Sequence, residues 1–266
     1  MATFNSRLRH AVSLQSAVFL FIFFMATGIL RANPMTNAVL AAYAEKEFHQ
    51  TQAHYQSDTG NLTNAWLFAR ACYNWADFAQ SDADRAAIAN QGIAACRQAI
   101  AQTPESAAAH YYLGMNLGQL ARTELLGALV LVREMEQEFK TAATLDEHFD
   151  FAGPARNLGL LYLQAPRIGS IGNRRKAREF LERAANLAPD LPENHLNLVE
   201  AYLQWGEASR AQTELNALDA LWPKAKARFT GEYWAEDWAD WTTRRQAACR
   251  QLAEISTLSN SFQGGH

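Results

Sequence analysis

The chain has 266 residues, 49% of them hydrophobic, with 24 lysines and arginines against 27 acidic residues for a formal net charge of −3. That is apolar material enough for one sizeable core or one elongated array of repeats, and the mildly acidic balance argues against a protein that tracks nucleic-acid phosphates. The three cysteines are odd in number and no two stand at metal-ligand spacing, so a zinc site is not expected.

Arg7, Arg9 and His10 precede an apolar run, "AVSLQSAVFLFIFFMATG", from Ala11 to Gly28. Residues 1–32 are therefore expected to be an export signal, cut after Ala32 or Ala38, or an uncleaved N-terminal anchor. Removal after Ala32 takes three arginines and leaves a net charge of −6. The expected location is the periplasm or cell envelope. An oxidising compartment permits a Cys72–Cys96 bridge, although both residues also read as small buried apolar side chains, and that reading is preferred.

The clearest internal repeat runs from Pro192 to Pro223. In "LNLVEAYLQWGEASRAQTELNALDALWP", Leu198, Tyr202, Gly206, Ala211, Leu215, Leu218 and Pro223 mark a helix, a tight turn, a second helix and a stop. Pro189 and Pro223 lie 34 residues apart, the tetratricopeptide period. Three earlier copies follow the same order, giving repeats at about 62–104, 107–147, 153–189 and 192–223 and a cap at 224–258. Small residues on the first helix (Gly114, Gly159) and second helix (Ala99, Ala142, Ala177, Ala184) let the paired helices approach closely, and stacking then buries faces that one pair alone cannot. The expected fold for residues 33–266 is an all-α, tetratricopeptide-type helical-hairpin solenoid with a C-terminal capping helix.

The repeats exceed their minimal length after the first helix. The span Gly159–Ala184 is 25 residues where the fourth repeat uses 19, Gly114–Ala142 is 28 and Arg70–Ala99 is 29. In the second repeat the stretch from Arg122 to Leu145 reads as continuous helix. In the third, "QAPRIGSIGN" must be a loop, because Pro166 blocks continuation and Gly169 and Gly172 favour turns. Insertions at one point of successive repeats mark a functional rim. Its expected residues are Pro166, Arg167, Arg174 and Arg175, a basic group suited to an anion or acidic partner, or alternatively solvated and paired with Glu179 and Glu182.

The first helices line the concave side of such stacks. Projection places Tyr111, Met115, Arg156, Leu160, Leu163, Leu196 and Leu203 there, with Glu200, as a mostly apolar groove for a ligand or partner. Trp234, Trp238 and Trp241 form one helical stripe, read either as the terminal cap on the last repeat or as an aromatic lid on that groove.

The segments "AHYYLGMNLG" (Ala109–Gly118) and "FAGPARNLGLLYLQAPRIGSIGNRRKAREFLERAANLAPDLPEN" (Phe151–Asn194) carry a family resemblance. With Gly153–Pro154, the following Leu-Gly and Tyr162, Ala165–Pro166 and a glycine before a basic helix start, the chain resembles the tetratricopeptide T-components of tripartite ATP-independent periplasmic (TRAP) transporters. The resemblance implies an exported, non-enzymatic protein that self-associates and docks a periplasmic solute-binding protein or another envelope protein. It also implies an apolar channel for a small hydrophobic or amphipathic ligand. The chain departs from lipoprotein members in lacking a cysteine after its apolar run, and its first repeat is degenerate.

No catalytic residue is nominated, and neither a cofactor nor a metal is expected. His49 and His54 diverge on a helix, while His110 and His195 occupy equivalent repeat positions and read as packing residues. Asp146–Asp150 groups acids around His148 at a repeat end, and no glycine-rich phosphate loop or nucleophile elbow is present. A small-ligand groove and a general protein-interaction scaffold are the two binding readings.

Overall fold

The computed structural model describes residues 34–124 and 127–263. The expected export segment, 1–32, lies outside them. Among the described residues all regular structure is helical, as the repeat pattern requires. In chain order the helices are α1 (Pro34–Ser57), α2 (Leu62–Ala76), α3 (Asp82–Gln102), α4 (Ala107–Ala121), α5 (Ala128–Leu145) and α6 (Phe149–Gln164). They continue as α7 (Arg174–Leu187), α8 (Pro192–Gln204), α9 (Ala208–Arg228), a 3₁₀ turn (Glu232–Trp234) and α10 (Ala235–Gln263). None of these helices is long and apolar enough to cross a membrane.

The helix starts follow capping chemistry. Asn61, Ser81 and Ser106 each accept a hydrogen bond from the backbone N–H three residues on, opening α2, α3 and α4. Pro192 sits at the first position of α8, where its missing N–H is not needed. Gly206 closes α8 at φ +73, with Gly206 N–H bonded to Leu203 O and Glu207 N–H to Tyr202 O.

The chain forms two compact units. The first holds the described residues up to Phe149 together with Leu161–Asn173; the second holds Asp150–Leu160 and Arg174 onward. In the first unit α1 packs on α2, α2 pairs with α3, and α4 packs on both and pairs with α5. Gly114 is where α4 meets α5: a Cβ there would stand 2.6 Å from the Phe139 ring. In the second unit α8 pairs with α9 and packs on α7, and α10 lies on both α8 and α9 as the cap. Gly159 of α6 meets α7 as closely, with Leu181 Cγ 2.7 Å from the place a Cβ would take. Tyrosine-to-glutamate hydrogen bonds recur on the first-helix side: Tyr162 to Glu136 at 2.6 Å in the first unit and Tyr202 to Glu182 at 2.8 Å in the second.

Two local expectations need correction. The stretch 122–145 is not one helix: α4 stops at Ala121 and α5 starts at Ala128. Thr123 turns its hydroxyl onto Leu120 O, and Arg122 is drawn onto Asp77 at 2.6 Å. Helix α9 runs past Pro223 to Arg228; Pro223 lies on the exposed side of the helix, and continuation buries Ala225. The right-handed part of α6 runs from Gly153, behind a left-handed turn of Asp150, Phe151 and Ala152 at φ 50, 54 and 62. Arg156 and Asn194 hold this turn, both donating to Phe151 O, with Arg156 also donating to Asp150 O.

Candidate interaction surfaces

The residues projected onto an open groove are mostly interior. In the first unit Tyr111 is 1% exposed, enclosed by Tyr112, Phe139 and Phe149 at ring separations of 5.0, 5.9 and 5.3 Å. Met115 and Leu163 are half-buried. In the second unit Leu196 and Leu203 are buried, and Leu160 is half-buried. Arg156 is 6% exposed, paired with Asp150 at 3.0 Å and Glu193 at 3.5 Å. Tyr111, Arg156, Leu196 and Leu203 are therefore core residues rather than the wall of an accessible trough. The reason is coverage: α4 is buried nearly all round by α2, α3 and α5, and α8 is overlaid by α10.

The overlay on α8 is polar. Arg244 of α10 donates to both Glu200 oxygens at 2.8 Å, to Asn197 Oδ1 at 2.5 Å and to Asp240 at 3.0 Å. The tryptophans cluster beside it. Trp241 is 1% exposed, 5.0 Å from Trp238 and 6.0 Å from Phe229. Trp234, in the 3₁₀ turn, stands 4.7 Å from Phe229, and Trp238 Nε1 donates to Phe229 O at 2.7 Å. These rings seal the end of the second unit as a cap.

The rim residues divide between the units. In the first, residues 165–173 make a tight loop, with Gly172 N–H bonded to Pro166 O at 3.1 Å and Asn173 N–H to Tyr162 O at 2.9 Å. A side chain at Gly172 would collide with Ala165 O, 2.0 Å from the Cβ position. Pro166 is half-buried, whereas Arg167 and Ile168 point outward, Ile168 87% exposed.

In the second unit Arg174 and Arg175 open α7. Arg174 donates to Glu207 at 2.5 Å and lies 5.2 Å from the Trp205 ring. Arg178, one turn on, donates to both Glu207 oxygens at 2.5 and 3.0 Å and faces Trp205 at 4.9 Å and Tyr202 at 5.5 Å. Arg210 completes the row, 5.9 Å from Tyr202 and 3.5 Å from Glu207. The arginines thus interleave with aromatic faces. Hydrogen bonds from Arg178, then Arg174, hold the Glu207 carboxyl down at about 2, and burial with a hydrogen bond to Glu182 raises the Tyr202 phenol to about 12. An open depression of about 750 Å³ is lined by Arg178, Glu182, Gly206, Glu207, Ser209 and Arg210. A neighbouring one of about 470 Å³ is lined by Arg175, Arg178, Arg183 and Leu187 among others. Arg174 belongs to this surface as expected of a basic rim, but its carboxylate partner is Glu207, not Glu179 or Glu182. Arg178, Trp205, Glu207 and Arg210 were not foreseen. The available signal was the i, i+4 pair Arg174/Arg178 together with the Trp-Gly-Glu turn.

Cys72 and Cys96 are free and fully buried, so they act as small apolar side chains.

No protein-family model matches the sequence, and no curated protein matches it. Among solved structures the chain is similar to TTC0263, a thermophilic TPR protein of Thermus thermophilus, at TM-score 0.59 and 16% identity over 88% of this chain and 98% of that one. It is also similar to MamA, at TM-score 0.48 and 16% identity over 75% of this chain and 100% of that one. A third similarity is to yeast Tom70, at TM-score 0.34 and 12% identity over 99% of this chain and 70% of that one. The likeness to the Thermus protein, together with the paired helices, establishes the fold as the tetratricopeptide type.

Proposed function

We propose that this chain is a non-catalytic docking scaffold that captures an acidic segment of a protein partner on the arginine–aromatic surface of α7, α8 and the α8–α9 turn. The observation that carries this reading is the row of Arg174, Arg178 and Arg210 interleaved with Trp205 and Tyr202 above an open depression. Lined up there are Arg174, Arg175, Arg178, Arg183 and Arg210 against Glu179, Glu182 and Glu207, an excess of cations. Glu207 and the rings hold guanidinium groups in place, so a carboxylate arriving from outside meets donors already ordered. Arg175 is exposed and has no ion pair among the described residues. The preferred occupant is a protein segment rather than a small apolar molecule, because Tyr111, Leu196 and Leu203 offer no open apolar wall.

The test is anisotropy with a labelled glutamate-rich peptide. The full chain should bind it in a salt-dependent way. Charge pairs this exposed contribute roughly 0.2–1 kcal/mol each. Reversing two of them in an Arg175→Glu, Arg210→Glu variant should therefore weaken binding about tenfold, the equivalent of roughly 1.4 kcal/mol. Undiminished binding by that variant, or no binding by the unaltered chain, would refute the assignment.

The finer reading is an exported T-component of a TRAP-type uptake system, working in the periplasm or cell envelope with a solute-binding protein as partner. It is supported by the resemblance over Ala109–Gly118 and Phe151–Asn194 and by the basic, apolar N-terminus. Capture of a solute-binding protein by the full chain, lost in the same arginine variant, is its expected signature.

A further inference from the structure

The two histidines at equivalent repeat positions are held alike. His110 Nδ1 lies 2.6 Å from Glu138 Oε2, and its Nε2 lies 2.9 Å from the Pro104 carbonyl oxygen. His195 Nδ1 lies 2.5 Å from Glu214 Oε1, and its Nε2 lies 2.8 Å from the Pro189 carbonyl oxygen. A carbonyl oxygen and an ionised carboxylate can only accept, while a neutral imidazole carries a single N–H. A neutral ring beside an ionised glutamate would leave two acceptors facing each other at one contact. Both rings are 8% exposed, leaving little room for water to relieve that clash. At His195 the arrangement is satisfied when each ring nitrogen carries a proton.

The groups facing His195 come from two elements. Glu214 projects from α9, and Asp190 lies in the turn before α8, where Lys224 and Arg228 of α9 bind it at 2.8 and 2.6 Å. Burial pulls the His195 ring toward neutrality. The hydrogen bonds to Glu214 and the Pro189 carbonyl, with the charges of Glu214 and Asp190, outweigh burial and raise its proton affinity above that of a free histidine.

We propose that His195 and Glu214 form a proton-retaining latch that ties the turn at Pro189 and helix α8 to helix α9, closed while the imidazole is doubly protonated and opened by loss of that proton. The His110–Glu138 pair shares the contact geometry, between the turn at Pro104, α4 and α5. The latch stabilises fully below the unfolded-state value of 6.5, and its contribution is lost as pH rises through the raised folded-state value.

Ring-nitrogen resonances of the ¹⁵N-labelled full chain test this directly. With the latch, both His195 nitrogens resonate as imidazolium at pH values above 6.5, and the titration midpoint lies above that of a free histidine. Glu214→Gln keeps the shape and removes the charge, so it shifts the midpoint downward. It also lowers stability below pH 6.5, the deficit closing as pH rises. A ring with one protonated and one bare nitrogen at pH 6.5 would overturn the proposal, as would a midpoint that Glu214→Gln leaves in place. If that variant does not fold, the spectrum of the unaltered chain still decides.

Discussion

Replacing Gly159 by alanine isolates the close approach on which the repeat packing rests. In a helix interior the exchange is worth about 1 kcal/mol in favour of alanine. Against that, the new Cβ would stand 2.7 Å from Leu181 Cγ and Cδ2 and 3.0 Å from the Leu181 backbone nitrogen. Comfortable carbon contacts begin near ~3.5 Å. The leucine is 1% exposed and has nowhere to turn, and backbone cannot rotate aside, so α6 and α7 must separate. Overpacking of this kind costs about 1–3 kcal/mol. With backbone in the way the upper end applies, and the net loss is about 2 kcal/mol. Gly118→Ala is the matched control, because its nearest obstacle is the Met135 methyl at 3.1 Å, the far end of a flexible chain. That variant should be neutral or gain up to about 1 kcal/mol. Urea unfolding followed by circular dichroism measures both. Equal stabilities for the two variants would refute the argument that close helix approach at Gly159 is obligatory.

Asp237 offers a test through pH. Burial first, then the charges of Glu193 and Glu236, raise its carboxyl to about 7, with Arg156 opposing. The folded chain thus holds this proton more tightly than the unfolded chain, so stability falls as pH climbs from 3.8 to about 7 and is flat beyond. Asp237→Asn should melt higher than the parent above pH 7, with the advantage vanishing near pH 4; a lower melting temperature throughout would contradict the sign. Thiol reactivity provides another check. Burial pushes the Cys72 and Cys96 thiols well up, whereas Cys249 is exposed. A thiol reagent should modify one cysteine in the folded chain and three after denaturation.

The hairpins were legible because their markers are local. Gly114 and Gly159 announce close contact, Pro189 and Pro192 bracket a turn, and Pro166 with Gly169 and Gly172 forces a loop. The prolines, Gly169 and Gly172 act within a few residues of themselves, while the repeat period carries Gly114 to Phe139 and Gly159 to Leu181 on the following helix. The groove was misread because a helical wheel shows which residues share a face but not what covers it. The cover of α8 is Arg244, 44 residues beyond Glu200 in the chain. Likewise Arg178 and Glu207 are 29 residues apart, and only the turn at Gly206 brings them into register. The left-handed turn at Asp150–Ala152 has no glycine to signal it, since Gly153 follows rather than occupies it.

That turn bears on the order in which the chain folds. Three consecutive side-chain-bearing residues in a left-handed conformation cost roughly 1–2 kcal/mol each. The carbonyl of Phe151 accepts from Arg156 close by and from Asn194, 43 residues downstream, and the Phe151 ring packs on Phe229 and Trp234, which lie farther along the chain. The part of this support that comes from Asn194 is in place only once α8 has arrived. Substitutions in Asp150–Ala152 are accordingly expected to give lower φ-values than substitutions in the α8–α9 hairpin.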